Sequence, residues 1–313
     1  MSDAQTLVLP SPPPVQPARP VPPAVLTEQE QKMYDEVLLY AQEKQDLTDA
    51  EKMWLSYECI LRYLRASKWK VDVAKTRLDA TLAWRREYGL YDTLTPELVE
   101  PEAVTGKQII FGYDFTGRPA LYLLPSRQNT DGPPRQIQYT VWMLERCIDV
   151  MPAGVESLDL LIDYADKAKN PSLGTARAVL NILQSHYPER LGLAMILNVP
   201  FLLNAFYKLI TPFVDPVTRL KMRFNPKAIE EDIFAPDQIT TSWGGAINFD
   251  YKHEEYWPAL VSMTNERRAR WTENWTAMGA TVGLKESDYK KEKDVVKTDE
   301  AQAETVESST ADA

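Results

Sequence analysis

YPERLGLAMILNVPFLLNAFYKLITPFVDPVTRLKM, residues 187 to 222, reads as a turn, a short apolar strand, an apolar helix and a second helix start. The strand LAMILNV, Leu193 to Val199, lies between Gly192 and Pro200. Its nearly continuous apolar run suits a parallel strand covered on both faces. Pro200 opens a helix through about Phe213, since proline is welcome at a first helical position. Leu202, Leu203, Phe206, Leu209, Ile210 and Phe213 run along it, with Phe201, Ala205, Tyr207 and Val214 on the remaining sides. A helix apolar on nearly every side is buried all round or touches something oily. Roughly fourteen residues span about 21 Å, short of the ~20 apolar residues that a bilayer crossing needs. Two readings follow. One is a core helix; the other is a lid with one face on an internal apolar cavity and the other able to enter a membrane surface.

What comes next favours the lid. Asp215-Pro216-Val217-Thr218 is a helix start, with Asp as N-cap and Pro in the first turn. Its free amides, the Thr218 hydroxyl and the Lys221 ammonium one turn on together suit a phosphate. An apolar cover beside a phosphate site is what a phospholipid carrier requires. The energy involved is large. Exposing a two-chain lipid of ~30 methylenes to water costs roughly 24 kcal/mol at ~0.8 kcal/mol per CH₂, so a soluble carrier must enclose both chains.

Several ordered motifs carry a resemblance: YPERLG (Tyr187 to Gly192), the Asn198 to Phe201 junction, PFVDPVT (Pro212 to Thr218) and Gly244-Gly245. Upstream, Ile60 to Gly89 and the hairpin DFTGRPALYLL (Asp114 to Leu124) continue it. The chain resembles the CRAL-TRIO lipid-binding family, in the fungal phosphatidylinositol-transfer branch and its azole-tolerance, sterol-associated type. The likeness covers roughly residues 27 to 256. It implies an α/β fold whose mostly parallel sheet and flanking helices enclose an apolar pocket, preceded by an all-α N-terminal subdomain.

Composition bounds the partners. The chain has 313 residues and a net charge of −10, which argues against nucleic acid as a main partner. It leaves room for a local basic patch on a membrane. Cys59 and Cys147 sit in apolar helical patterns and read as reduced, buried thiols of a cytosolic protein. Nothing resembles a signal peptide or reaches transmembrane length. The expected setting is cytoplasmic and monomeric, peripherally associated with endoplasmic reticulum, lipid droplets or plasma membrane.

In chain order, residues 1 to 26 hold eight prolines and little charge, which predicts a disordered or polyproline-like arm. Residues 27 to 95 form the helical subdomain. A capping box at Thr27 opens a helix to about Lys44, a second spans Asp49 to Ser67, and a third runs from Val71 to Tyr88. Residues 96 to 250 form the lipid-binding domain. Its strands are Lys107 to Tyr113, Pro119 to Leu124, Leu158 to Tyr164 and Leu193 to Val199, alternating with helices at Gln136 to Val150 and Pro171 to His186. Leu220 to Phe224 reads equally as a last strand or a helix end. Residues 251 to 280 read as a covering helix. From Thr281 the chain holds nine acidic residues against five lysines, which predicts a disordered acidic tail over 281 to 313.

Arg62 and Arg65 are three apart and share a helix face. The resemblance places Arg65 at a phosphoinositide headgroup, paired to Glu189, with Lys221 and Thr218 nearby; Arg62, on the same helix face, is expected to join them. Cations there neutralise the phosphodiester, and the carboxylate orients guanidinium and accepts from ring hydroxyls. The resemblance also implies a pocket and lid of Phe111, Tyr122, Leu158, Leu160, Phe201, Phe206, Leu209, Ile210 and Phe213, and a hinge at Gly244 and Gly245. Phosphatidylcholine carriers have hydroxyls and a tyrosine where this chain has Leu158, Leu160 and Phe111. Greasy groups cannot pair a buried choline phosphate, at a cost of several kcal/mol. The expectation is phosphatidylinositol kept, phosphatidylcholine lost and a sterol or other hydrophobe as second cargo.

Enzyme readings find little support. There is no phosphate-binding G-x-x-x-x-G-K-[ST] loop, no G-x-G-x-x-G after a strand and no G-x-S-x-G elbow. Two histidines, His186 and His253, and two isolated cysteines give no zinc or triad spacing. No metal or organic cofactor is expected, only the bound lipid. Two alternatives stay open: a module that presents phosphatidylinositol to a kinase, and a lipid hydrolase built from scattered residues.

Overall fold

A computed structural model describes residues 5–166, 173–199 and 216–291. The apolar helix expected over 200 to 213, with Phe201, Phe206, Leu209, Ile210 and Phe213, lies outside the described residues.

The helical subdomain is built on caps that the sequence announces. Helix α1 (Glu28–Gln42) starts at Thr27, whose hydroxyl accepts from the Glu30 amide while Glu30 reaches back to the Thr27 amide. The single helix expected over Asp49 to Ser67 is two, α2 (Asp49–Trp54) and α3 (Tyr57–Ala66). The break has a cause. Ser56 caps α3, and the backbone at Leu55 and Tyr57 is taken by Gly283 and Leu284 of the C-terminal segment. Helix α4 (Val71–Glu87) follows, and Tyr34, Val37, Leu55, Ile60, Leu64, Leu78 and Leu82 fuse these helices into one core. Helix α5 (Pro96–Ala103) was not expected, although Thr95-Pro96 is a cap followed by proline at the first position.

Strands β2 (Gln108–Tyr113) and β3 (Pro119–Leu123) form an antiparallel hairpin. Asp114 closes it by accepting from the amides of Thr116 and Arg118. Strands β4 (Leu158–Asp163), β5 (Leu191–Leu197) and β6 (Met222–Phe224) then run parallel to β3, in the order β2-β3-β4-β5-β6. Their connections carry α6 (Pro133–Asp149), α7 (Leu173–His186) and α8 (Pro216–Leu220). The stretch over 216 to 224 is therefore both helix and strand. Strand β5 begins two residues before the expected Leu193. Gly192 does not bound it but lies inside it, where a Cβ would stand 2.4 Å from the Asp159 carboxylate.

Two ends expected to be disordered are docked. Strand β1 (Gln5–Leu7) pairs parallel with β7 (Ile247–Phe249). Arg19 grips Asp232 through two hydrogen bonds at 2.6 and 2.9 Å, lies 4.0 Å over Phe115 and donates its amide to the Phe115 carbonyl. Backbone bonds fasten this arm, and composition does not display them. At the other end, residues 281 to 291 are packed rather than loose. Val282 enters the helical core, and Tyr289 packs with Trp271 and Trp275 of α9 (His253–Ala277). Helix α10 (Glu286–Tyr289) carries a buried Glu286. Residues 292 to 313, the rest of the expected tail, lie outside the described residues.

Helix α9 also closes the sheet edge. The Tyr256 hydroxyl accepts from the Ile110 amide at 2.7 Å and donates to its carbonyl at 3.0 Å, which occupies the free side of β2. Inside, Glu145 of α6 joins Arg85 of α4 at 3.0 Å, Arg268 of α9 at 3.6 Å and the Tyr187 hydroxyl at 2.7 Å. Burial raises the Glu145 pKa, but the Arg85 charge outweighs it, and the carboxyl is held down at about 2. That pairing fixes the start of the YPER turn on the helical subdomain.

Candidate functional site

The turn Tyr187 to Arg190 enters β5 with Glu189 at φ +59°, in the left-handed region. A non-glycine residue held there is strained by roughly 1–2 kcal/mol, and such strain gathers at binding sites. The conformation sends the Glu189 carboxylate to Arg65, at the end of α3, where Nε donates to Oε2 at 2.6 Å. On the other side of β5, Lys221 Nζ donates to the Leu191 carbonyl at 2.5 Å. Its amide bonds to the Thr218 carbonyl at 3.1 Å as α8 ends. Glu189, held by Arg65, and Lys221 thus flank the first residues of β5, with Thr218 one helical turn before Lys221. Arg65 and Glu189 keep about a third of their side-chain surface exposed, 29% and 35%, so the pair faces outward.

Arg62 departs from the expectation. It is 3% exposed and is held by Glu156 at 2.7 Å and Glu286 at 2.9 Å. Glu156, about a third exposed, and the buried Glu286 take one terminal nitrogen each, so Arg62 supports the site from behind instead of facing a ligand. Arg190 is buried beside it and donates to the Glu156 carbonyl at 2.8 Å. Neither Glu156 nor Glu286 was marked by sequence reasoning. A lone acid before a strand and another in an acidic tail carry no periodic or spacing signal.

The wall residues divide between the two faces of the sheet. Register aligns Ile109, Tyr122, Leu161 and Met195 on one face, and Ile110, Leu121, Leu160 and Ala194 on the other. Leu158 and Leu160, two apart on β4, share the second face. Phe111 packs on Phe249 at 4.9 Å, in the solid core of the first face, and Tyr122 is buried there with it. Phe111 and Tyr122 therefore do not line one cavity with Leu160. A one-residue offset turns a strand side chain to the opposite face, so the hairpin positions on the Leu160 side are Ile110 and Leu121. That side also carries Gln108, which donates to Thr140 of α6 at 2.9 Å. Leu123, Leu160, Ile162 and Met222, all on it, are only partly buried, and Phe224 is 51% exposed. Along α7 an open recess of about 350 Å³ is lined by Arg177, Ala178, Leu180, Asn181 and Gln184.

The paired glycines have distinct requirements. Gly244 ends a short 3-10 turn at φ +85° with open space around its Cβ position. At Gly245 a Cβ would stand 2.0 Å from the Ile239 carbonyl oxygen. Gly245→Ala must displace backbone, at ~1–3 kcal/mol for overpacking. The expected result is a fall in thermal midpoint of roughly 2–4 °C per kcal/mol, larger than for Gly244→Ala, which meets no atom but is strained by roughly 1–2 kcal/mol at positive φ. Scanning calorimetry of the two variants checks the order.

Among the described residues no group of three or more His, Cys, Asp or Glu is placed to hold a metal ion. No helix among them is long and apolar enough to cross a membrane.

Comparison with known proteins agrees with this architecture. Residues 103–245 match the CRAL/TRIO domain, and residues 33–80 match the CRAL/TRIO N-terminal domain. A CRAL-TRIO domain-containing protein of Schizosaccharomyces pombe is 46% identical over 280 residues, 85% of this chain and 27% of that protein. A phosphatidylinositol transfer protein of Saccharomyces cerevisiae is 41% identical over 266 residues, 80% of this chain and 75% of that protein. The crystal structure of Sfh5 superposes with a TM-score of 0.52 at 15% identity, over 79% of this chain and 99% of that one.

Proposed function

The chain belongs to the CRAL/TRIO family, and we propose that it is a phosphatidylinositol carrier that encloses one lipid and exchanges it at membranes. The observation that carries this reading is the outward-facing Arg65–Glu189 pair, with Lys221 across β5, beside a partly uncovered apolar sheet face. The cations suit a phosphodiester, and the carboxylate suits the hydroxyls of an inositol ring. The acyl chains would lie along the Leu160 and Ile162 face, under the apolar segment 200 to 213, with Gly244-Gly245 as its hinge. The protein carries lipid and transforms none, so it has no catalytic residues.

Leu158 and Leu160 place no hydroxyl on that face, which supports a second cargo that is apolar, a sterol or similar molecule, over phosphatidylcholine. The same reading places the protein in the cytoplasm as a monomer that visits endoplasmic reticulum, lipid droplets or plasma membrane. Vesicle-to-vesicle transfer of labelled phosphatidylinositol by the purified chain tests the proposal. Transfer far above the spontaneous rate is expected, with phosphatidylcholine transfer near background. Mass spectrometry of extracted lipid should show intact phosphatidylinositol. Binding without transfer would favour a sensor, and cleaved lipid a hydrolase.

A further inference from the structure

Arg65 is bracketed by two carboxylates. Glu189 meets Nε, and Glu156 meets the terminal nitrogen at 3.4 Å. Glu156 is anchored independently of Arg65: its carboxylate accepts from Arg62 at 2.7 Å and its carbonyl from Arg190 at 2.8 Å. It still keeps 32% of its side-chain surface exposed, close to the values for Arg65 and Glu189. A rigidly held, outward-facing acid beside the Arg65 guanidinium is an unusual feature for a site that must attract an anion.

We propose that Glu156 is the second headgroup carboxylate and the residue that selects an unphosphorylated inositol ring. This rests on the phosphatidylinositol reading above. Arg62, Arg65 and Lys221 against Glu156 and Glu189 leave one positive charge, enough to receive one phosphodiester. Two acids spaced across one guanidinium can accept from two ring hydroxyls, giving directional recognition that a choline group cannot return. A phosphomonoester on the ring carries about −1.5 to −2 charges at neutral pH. It would have to approach a carboxylate that Arg62 holds in place, on a residue whose carbonyl Arg190 holds. Repulsion of the wrong ligand is a standard route to specificity.

Glu156→Gln tests this without uncovering Arg62, which keeps Glu286 at 2.9 Å. The full chain is incubated with phosphatidylcholine vesicles containing phosphatidylinositol, its 4-phosphate or a sterol, and captured lipid is quantified by mass spectrometry. Expected for Glu156→Gln are about tenfold less phosphatidylinositol, a several-fold higher ratio of 4-phosphate to phosphatidylinositol, unchanged sterol capture, and only a modest fall in melting, since Arg62 loses one of two charged partners and keeps Glu286. Glu156→Asp, which keeps the charge, should keep the discrimination against the 4-phosphate. An unchanged ratio in Glu156→Gln overturns the assignment, as does equal loss of sterol, which would mark a structural role. A parent chain that captures no phosphatidylinositol overturns the carrier reading itself, a result distinguishable from either.

Discussion

Replacing Arg65 and Lys221 together by alanine lowers phosphatidylinositol capture at least about 100-fold. A hydrogen bond to a charged group contributes ~1.5–3 kcal/mol, and each 1.4 kcal/mol is a tenfold change in affinity, so two such losses reach that range. The fold tolerates the change. The Arg65–Glu189 pair is about one-third exposed, and pairs of that kind stabilise by ~1 kcal/mol or less. The measurement is lipid capture from mixed vesicles, with a thermal melt as control. Sterol capture should persist, because it draws on the apolar face and needs no cation. Equal loss of every lipid would instead show that the two cations hold the structure together.

Glu286→Ala should produce the largest loss of stability. Glu286 is buried and faces Lys290 at 2.7 Å, Arg62 at 2.9 Å and Arg190 at 3.9 Å, and it accepts from the Ser56 hydroxyl at 2.7 Å. Removing one partner of a buried pair costs ~3–5 kcal/mol, because the remaining charges stay buried uncompensated. At roughly 2–4 °C per kcal/mol the midpoint falls by about 10 °C. A pH series adds a second check. Burial raises the Glu286 pKa, but Lys290, Arg62 and Arg190 outweigh it and hold the carboxyl well below its usual 4.5. A depressed pKa gives stability that is complete above pH 4.5 and is lost as pH falls through the folded-state value. The parent should therefore lose stability on acidification below that point, and Glu286→Ala should show a shallower decline.

Much of the architecture was legible because local chemistry and global fold agree. The Thr27 capping box, the Asp114 turn and the alternation of apolar runs with helices all appear where expected. The Arg65–Glu189 pair was legible only through the resemblance, since residues 124 positions apart have no common periodicity. Three things were hidden. Strands β1 and β7 are three residues each and find one another across the whole chain. Glu286 looked like one charge among many in an acidic run, yet it is neutralised in the interior. The assignment of Phe111 and Tyr122 to the pocket failed by a single residue in each strand, which in a pleated sheet is the whole thickness of the layer.

The arm that holds Asp232 has a mechanical consequence. Between Arg19, fastened to the hairpin, and Thr27, which starts α1, there are only eight peptide steps. Fully stretched they reach about 27 Å, at ~3.3–3.6 Å each. The helical subdomain is therefore leashed to the hairpin, and its drift from it has a hard upper limit that shortening the proline segment would tighten.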